Sequence, residues 1–158
     1  MVANYSLNEI HPYTLYIYFN RGFISIVDRG HFKRIKHFNE YLFVYGSLKK
    51  TYWNNILLID SKFISEDITC DTYSMYDLGM YPCIIKDPLG WPVKGELYEV
   101  DSFVFGHLDL LEGYPNHYKR EKVRLSSGIE AWIYFMEEKR SYGKIEAFNG
   151  ILEWDKRG

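Results

Sequence analysis

Cysteine is scarce in this chain of 158 residues, and several classes of protein are excluded by what the sequence lacks. The two cysteines, Cys70 and Cys83, have the spacing of neither a zinc site nor a redox pair, so we expect a reduced, cytoplasmic protein. No apolar run is long enough to span a membrane, and residues 1–5 lack the basic and apolar layout of a secretory signal. We therefore predict no membrane partner.

An excess of charge of either sign is also missing. The chain has 19 basic and 21 acidic residues, a net charge of −2, so we predict no nucleic-acid partner. There is no phosphate-binding glycine loop, and Ser47 lies in no nucleophile motif. The histidines lack the spacing of metal ligands, and we predict no metal site; they are His11, His31, His37, His107 and His117.

Aromatic residues, in contrast, are abundant. The chain has 15 tyrosines and 10 phenylalanines, and 47% of its residues are hydrophobic. This composition suits β-strands and an aromatic-lined pocket. Short β-prone runs outnumber two or three short helical runs. We therefore predict an α+β fold, with a small mixed β-barrel or curled sheet and flanking short helices.

The chain divides into an N-terminal extension, residues 1–38, whose order the sequence leaves open, and a domain at residues 39–158. The extension has two β-prone runs, Tyr13–Phe19 and Gly22–Val27, without clear partner turns. Its stretch Arg29–His37 is basic. We interpret the extension as solvated, or as preceding the natural start; the alternative is an arm that binds nucleic acid or a membrane surface.

The segment that begins at Tyr41 organises the domain. Five apolar or aromatic residues, Tyr41–Tyr45, predict a strand buried on both faces, and Gly46 and Ser47 then break it. Thr51 is a predicted N-cap for a short helix over 52–59. Backbone N–H groups in a loop of this kind suit either a carboxylate or an oxyanion.

Later segments predict further short elements. A solvated strand face is expected to carry Glu96 and Glu99. Ser126–Gly128 joins a predicted hairpin, and a short closing helix is predicted over 145–154. The predicted strands are Lys62–Ile64, Thr69–Tyr76, Cys83–Ile85, Val93–Val100, Tyr118–Leu125 and Glu130–Met136.

One carboxylate lies on the apolar side of a predicted helix. Asp101 is the N-cap of this helix, which runs over 102–112, and its apolar arc is formed by Val104, Phe105, Leu108 and Leu111. Glu112 falls inside that arc, in the last turn, where burial and the helix dipole both raise a carboxyl pKa. Glu112 is thus a candidate general base. The alternative is a glutamate that reaches solvent or pairs with Lys119 or Arg120.

Four motifs, in order between about residues 41 and 136, resemble the γ-glutamylcyclotransferase-like superfamily. Its γ-glutamylamine cyclotransferase and avirulence-induced-protein branch is the most similar. The motifs are Tyr45–Leu48, Tyr81–Ile85, Val93–Asp101, and Leu108–Pro115 with the downstream Tyr118 and Arg120. The first 38 residues have no counterpart in this resemblance.

The resemblance implies an enzyme that cyclises a small γ-glutamyl amine or peptide to 5-oxoproline and releases the amine, without a cofactor. It implies that Glu112 is the general acid/base, that Tyr45, Gly46, Ser47 and Leu48 form the substrate-binding loop, and that Tyr118 lines the pocket. A monomer or small homo-oligomer is expected. Two alternatives stay open: another reaction on a γ-glutamyl compound, such as removal of a γ-glutamyl protecting group, and a non-enzymatic binding or interaction protein that keeps the fold.

Overall fold

The computed structural model describes residues 16–20, 23–28, 31–36, 39–138 and 143–155. The chain forms two compact units, Met1–Phe38 and Asn39–Gly158. In the first unit, strands β1 (Tyr16–Asn20), β2 (Phe23–Asp28) and β3 (His31–Lys36) pair in that order as an antiparallel sheet. The basic stretch thus contains a strand. The side chains of this stretch, on which the predicted binding arm depends, lie outside what the structure describes. So do residues 13–15, 22, 29 and 37 of the predicted runs.

The second unit contains two sheets. Five strands pair in the order β5-β8-β4-β10-β9, antiparallel except for the parallel pair β4 and β10, in which Leu42 lies opposite Trp132. A smaller antiparallel sheet has the order β11-β6-β7. The strands are β4 (Glu40–Val44), β5 (Lys62–Ile68), β6 (Tyr73–Asp77), β7 (Pro82–Lys86), β8 (Lys94–Val100), β9 (Lys119–Arg124), β10 (Glu130–Phe135) and β11 (Gly143–Ile145).

The predicted α+β class is confirmed in its curled-sheet form. Neither sheet closes into a barrel within the described strands, although the Met136 N–H donates to Ile84 O and joins the edges of β10 and β7. No helix among the described residues is long and apolar enough to cross a membrane. The two cysteines form no disulfide in the part of the chain that the structure describes; Cys83 lies in the core and Cys70 on the surface.

The predicted strand at residue 41 and the helix that follows Asp101 are both present. Leu42, Phe43 and Val44 are buried in β4, whereas Tyr41 is exposed and lies outside the core, contrary to the prediction. Helix α1 (Ser102–Leu111) begins after Asp101, whose Oδ1 atom accepts hydrogen bonds from the N–H groups of Phe103 at 2.9 Å and Val104 at 2.8 Å. This is the side-chain cap that the sequence predicts.

Helix α1 packs its buried side chains against the five-stranded sheet. Phe105 and Leu108 are buried in the cluster that contains Leu42 and Val44 of β4. Leu111, predicted in the same apolar arc, is instead exposed. The end of the helix therefore extends past the core and reaches the edge of the cavity described below.

Two predicted helical features are wrong. The helix after the loop is a 3-10 helix, Trp53–Leu58, capped by Tyr52 without a side-chain hydrogen bond, and Thr51 has a φ of +74°. A residue at positive φ lies outside the extended conformation that an N-cap requires. Thr51 is therefore part of a turn.

The predicted closing helix over 145–154 is also absent, because this segment forms short β-pairings. Ile145 ends β11, and Lys94 N–H donates to Leu152 O at 2.9 Å. Asn149 and Gly150 both have positive φ between the bridged residues Phe148 and Ile151. An Asn-Gly pair of this kind favours a tight hairpin turn, a signal that the helix prediction overlooked.

Candidate active site

A cavity of about 270 Å³ opens where β4 and α1 end and β7 begins. The six residues predicted for the site all line it: Tyr45, Gly46, Ser47, Leu48, Glu112 and Tyr118. The fold thus brings together the loop after β4 and the end of α1, which are more than 60 positions apart in the sequence. The roles assigned to these residues remain predictions at this point.

The loop after β4 is a tight turn with free backbone donors. Lys49 N–H donates to Gly46 O at 3.0 Å and closes the turn. Within residues 39–138 and 143–155, the N–H groups of Ser47 and Leu48 donate to no acceptor. Successive free N–H groups in a turn form a concavity that binds anions. The cavity wall therefore offers two donors to a carboxylate or an oxyanion.

Gly46 allows the loop to lie directly against the start of β7. A Cβ atom at this position would lie 2.7 Å from Pro82 Cδ and 2.9 Å from Pro82 Cγ. Non-bonded carbon atoms normally stay 3.5–4.0 Å apart. Gly46 is therefore required by this close approach of the two cavity walls.

Side chains outside the predicted set hold the loop in place. Asn54 Nδ2 donates to Ser47 Oγ at 2.9 Å, and Asn55 Nδ2 donates to Leu48 O at 2.8 Å. The carboxylate of Glu96 accepts from the Lys50 N–H at 2.8 Å. These contacts fix the loop from the side of the 3-10 helix and from β8.

Glu96 lies in the interior, so its predicted place on a solvated face is wrong. It is buried, and its Oε2 atom also accepts from the hydroxyl of Tyr98 at 2.9 Å. The sequence held a signal: side chains alternate along a strand, so Glu96 and Glu99, three positions apart, cannot share one face. Glu99 is only partly buried and accepts from Asn39 Nδ2 at 2.8 Å.

Glu112 presents an unpaired carboxylate to the cavity. Its backbone N–H donates to Leu108 O at 2.9 Å, so it caps the helix, and Gly113, at a φ of +61°, then turns the chain. No donor or cation pairs with the carboxylate in the described part of the chain. Burial raises the pKa of Glu112 from 4.5 to about 7. The group can therefore take or give a proton near neutral pH.

The alternative partners predicted for Glu112 are engaged elsewhere. Arg120 pairs with Asp109 at 3.2 Å, and Lys119 lies 3.8 Å from a carboxylate oxygen of Glu137. The prediction of a surface ion pair at Glu112 is therefore wrong. Arg120 instead pairs with Asp109, which lies about one turn before Glu112 on the same helix.

Tyrosines form the buried part of the cavity wall. Tyr45 donates its hydroxyl to Tyr134 O at 2.9 Å, Tyr118 donates to Pro82 O at 3.0 Å, and Tyr134 donates to Asp109 Oδ1 at 2.6 Å. Burial, followed by the charges of Tyr118 and Glu112, raises the pKa of Tyr45. The three hydroxyl groups are fixed in direction by these hydrogen bonds, which gives the cavity rigid walls.

His117 is a cavity residue that the sequence did not identify. It lies in the turn before Tyr118, with its ring edge-on to the ring of that tyrosine at 5.3 Å. No cluster of three metal-ligating side chains occurs among the described residues. His107 lies on the exposed side of α1, close to Phe103 O, whereas positions 11 and 37 are outside the described residues.

Residues 42–154 match the model of the AIG2-like γ-glutamyl cyclotransferase family. The chain belongs to this family. The Methanocaldococcus jannaschii protein MJ1514 is 44% identical over 104 residues, which is 63% of this chain and 86% of that protein. The γ-glutamylcyclotransferase family protein YtfP of Escherichia coli K12 is 32% identical over 115 residues, or 73% and 98% of the two chains.

The fold of this cyclotransferase-family chain is shared with a solved mouse structure. That AIG2-like protein from Mus musculus has a TM-score of 0.58 and 19% identity, with 76% of this chain and 98% of the mouse chain covered. The resemblance read from the four sequence motifs is thereby confirmed at the level of family and fold. Residues 1–38 lie outside the region that the family model matches.

Proposed function

We propose that this family member converts a γ-glutamyl amine or peptide to 5-oxoproline and the free amine, with Glu112 as the general acid/base. The observation that carries the proposal is the unpaired carboxylate of Glu112, with a pKa of about 7, in the same cavity as the loop from Tyr45 to Leu48. A base whose pKa lies near the working pH transfers protons in both directions. The names of the family and of the relatives support the same class of reaction.

In the proposed reaction the substrate supplies its own nucleophile. The α-amino nitrogen attacks the γ-carbonyl carbon, forms the new C–N bond of the five-membered ring, and gives a proton to Glu112. Glu112 then delivers the proton to the leaving nitrogen as the original C–N bond breaks. Atoms balance without water, because the substrate is divided into 5-oxoproline and amine. Holding the chain curled supplies much of the rate.

The free N–H groups of Ser47 and Leu48 bind the α-carboxylate of the substrate in this proposal. Two neighbouring N–H groups match the two oxygens of a carboxylate, and a charged acceptor strengthens both hydrogen bonds. This contact anchors one end of the γ-glutamyl group. The buried tyrosines, Tyr45 and Tyr118, then shape the space in which the chain folds back toward Glu112.

The test compares the wild-type protein with Glu112→Gln, using γ-glutamyl-ε-lysine, γ-glutamyl-alanine, glutathione and a γ-glutamyl alkylamide, with 5-oxoproline as the readout. We expect release by the wild type and a loss of at least about 10³-fold in the variant, because the base is removed. Glu130→Gln, at an exposed strand position, is the control for loss of a carboxylate. Undiminished turnover in folded Glu112→Gln would refute the assignment of the base.

The pH dependence of kcat/KM gives an independent measurement. The attacking step requires the ionised form of Glu112, so the rate is expected to rise with pH and to level off above about 7. A profile that levels off near pH 4.5 would show a solvated carboxylate in this position. Binding of γ-glutamyl compounds without release of 5-oxoproline at any pH would favour the non-enzymatic alternative.

A further inference from the structure

A closed turn after α1 brings His117 to the same cavity as Glu112. Glu112 ends the helix, and Gly113, at a φ of +61°, reverses the chain. The N–H of His117 donates to Gly113 O at 2.9 Å. The N–H of Tyr118 donates to Glu112 O at 3.2 Å and closes the turn across its base. The side chains of Glu112 and His117 therefore both line the cavity.

The imidazole of His117 is held from two sides. Its Cβ atom lies 3.0 Å from the position that a Cβ atom on Gly113 would occupy, so the turn packs directly against it. On the other side, its ring centroid lies 5.3 Å from that of Tyr118, with the two rings edge to face. Tyr118 is itself buried, and its hydroxyl donates to Pro82 O at 3.0 Å. Because His117 is only half-buried, its imidazole is fixed at the wall and stays in contact with water.

The proposed reaction moves two protons, whereas the carboxylate of Glu112 holds one at a time. An α-amino group has a pKa of about 8 and is therefore mostly an ammonium at neutral pH. Its nitrogen loses one proton before it attacks and another as it becomes the ring amide. The leaving nitrogen gains one proton as its C–N bond breaks and another as the released amine becomes an ammonium. A second proton carrier in the cavity matches this count.

We propose, resting on the proposed function, that His117 is a second catalytic residue: the base that takes the first proton from the α-ammonium group of the substrate. Histidine suits this step because imidazole gains and loses a proton near neutral pH. The neutral imidazole accepts the proton and leaves a free amine, which attacks the γ-carbonyl carbon. Glu112 takes the second proton and passes it to the leaving nitrogen. His117 then gives its proton to the released amine, so the enzyme returns to its starting form without net proton uptake.

The other titratable groups around His117 differ from it in charge and in basicity. The carboxylate of Glu112, at the end of α1, stabilises the imidazolium that forms in the first step, since opposite charges favour each other. A tyrosine phenol keeps its proton near neutral pH and so accepts none from an ammonium. Within the described lining, the remaining titratable side chains are such phenols: Tyr45, Tyr81, Tyr118 and Tyr134.

The deciding experiment measures kcat/KM for 5-oxoproline release between about pH 6 and about pH 9.5 in wild type, His117→Asn and His117→Phe. It uses the γ-glutamyl compound named above that the wild type turns over fastest. Without His117, only substrate that already carries a free amine reacts, and at pH 7 this is about one-tenth of an α-amino group with a pKa of about 8. We therefore expect both variants to lose about tenfold relative to wild type at pH 7 and less than about twofold above pH 9.

Two comparisons separate this role from a structural one. His117→Phe keeps a ring against Tyr118, so it supplies the test even where His117→Asn is poorly folded. His107→Asn, on the exposed side of α1, is the matched control for loss of an imidazole and is expected to follow the wild-type profile. A loss that is equal at pH 7 and pH 9 would show a role in packing or binding and would overturn the proposal. Unchanged activity at pH 7 in both variants would overturn it also.

The failure of this inference is distinguishable from the failure of the proposed function. Either contrary result at His117 leaves the release of 5-oxoproline by the wild type intact, and removes only the second base. Absence of 5-oxoproline from every substrate with folded wild-type protein refutes both.

Discussion

The burial of Glu112 predicts a measurable effect on stability as well as on catalysis. The folded protein binds the proton of this carboxyl more tightly than the unfolded chain does, because burial raises its pKa from 4.5 to about 7. Stability from this group is therefore fully present below pH 4.5 and is lost as the pH rises to about 7. Between pH 5 and pH 8 the loss is about 2.5 kcal/mol, an upper value because Glu112 is partly exposed.

Glu112→Gln removes this pH dependence, because glutamine stays neutral. We expect the free energy of unfolding of the variant, measured relative to wild type, to rise by up to about 2.5 kcal/mol between pH 5 and pH 8. In thermal unfolding this corresponds to a relative increase in Tm of roughly 5–10 °C. Circular dichroism with urea or heat at several pH values supplies both numbers.

The comparison with wild type cancels the titration of every other group, provided that the substitution perturbs none of them. Glu130→Gln serves as the matched control for the general effect of losing one negative charge at an exposed site. A difference between Glu112→Gln and wild type that stays constant from pH 5 to pH 8 would refute the burial argument. The proposed role as a base near neutral pH would then lose its physical support.

Three further predictions concern the groups that build the cavity wall. Gly46→Ala places a methyl group 2.7 Å from Pro82 Cδ, so we expect a loss of about 1–3 kcal/mol in urea unfolding and at least about tenfold in kcat/KM; unchanged values would show that the loop moves freely. Glu96→Ala leaves the Lys50 N–H and the Tyr98 hydroxyl without their acceptor and is expected to raise KM more than it lowers kcat. Glu96→Gln keeps an acceptor and is expected to restore most of the affinity. Equal KM values in the two variants would contradict a positioning role for Glu96. Asp109→Asn breaks the ion pair with Arg120, with an expected loss of about 1–3 kcal/mol in urea unfolding; a loss near zero would mean that water already screens the pair.

Features encoded within about ten residues were predictable from the sequence. The cap at Asp101, the 3.6-residue period of α1 and the stop at Gly113 together define the helix, and the structure confirms its bounds to within one residue. The same angular pattern placed Glu112 toward the interior. It placed Leu111 there also, wrongly, because a period locates a face but not the point along the helix where the core ends.

Features that depend on distant partners were not predictable in this way. The loop after β4 is held by Glu96, which is 46 positions from its partner Lys50 and lies on another strand. β4 pairs in parallel with β10, which is almost 90 residues later in the chain. A hairpin turn in the sequence predicts antiparallel pairing of neighbouring strands, so no local signal predicts this contact. The cap predicted at Thr51 failed because Thr51 lies at positive φ in the turn that the Tyr52 N–H closes onto Lys49 O, where it cannot act as a cap.

The two carboxylates near the end of α1 differ in their surroundings, since Asp109 is paired and Glu112 is not. Asp109 and Glu112 are three positions apart and so lie on neighbouring parts of the same face. Asp109 is held by Arg120 at 3.2 Å and by the hydroxyl of Tyr134 at 2.6 Å, and this contact anchors the helix to β9 and β10. Because the arginine is engaged there, Glu112 keeps no counter-ion, and burial alone sets its pKa. We propose that the ion pair at Asp109, by engaging Arg120, leaves Glu112 available for proton transfer. A variant that frees Arg120, such as Asp109→Asn, is expected to lower the pH at which kcat/KM levels off.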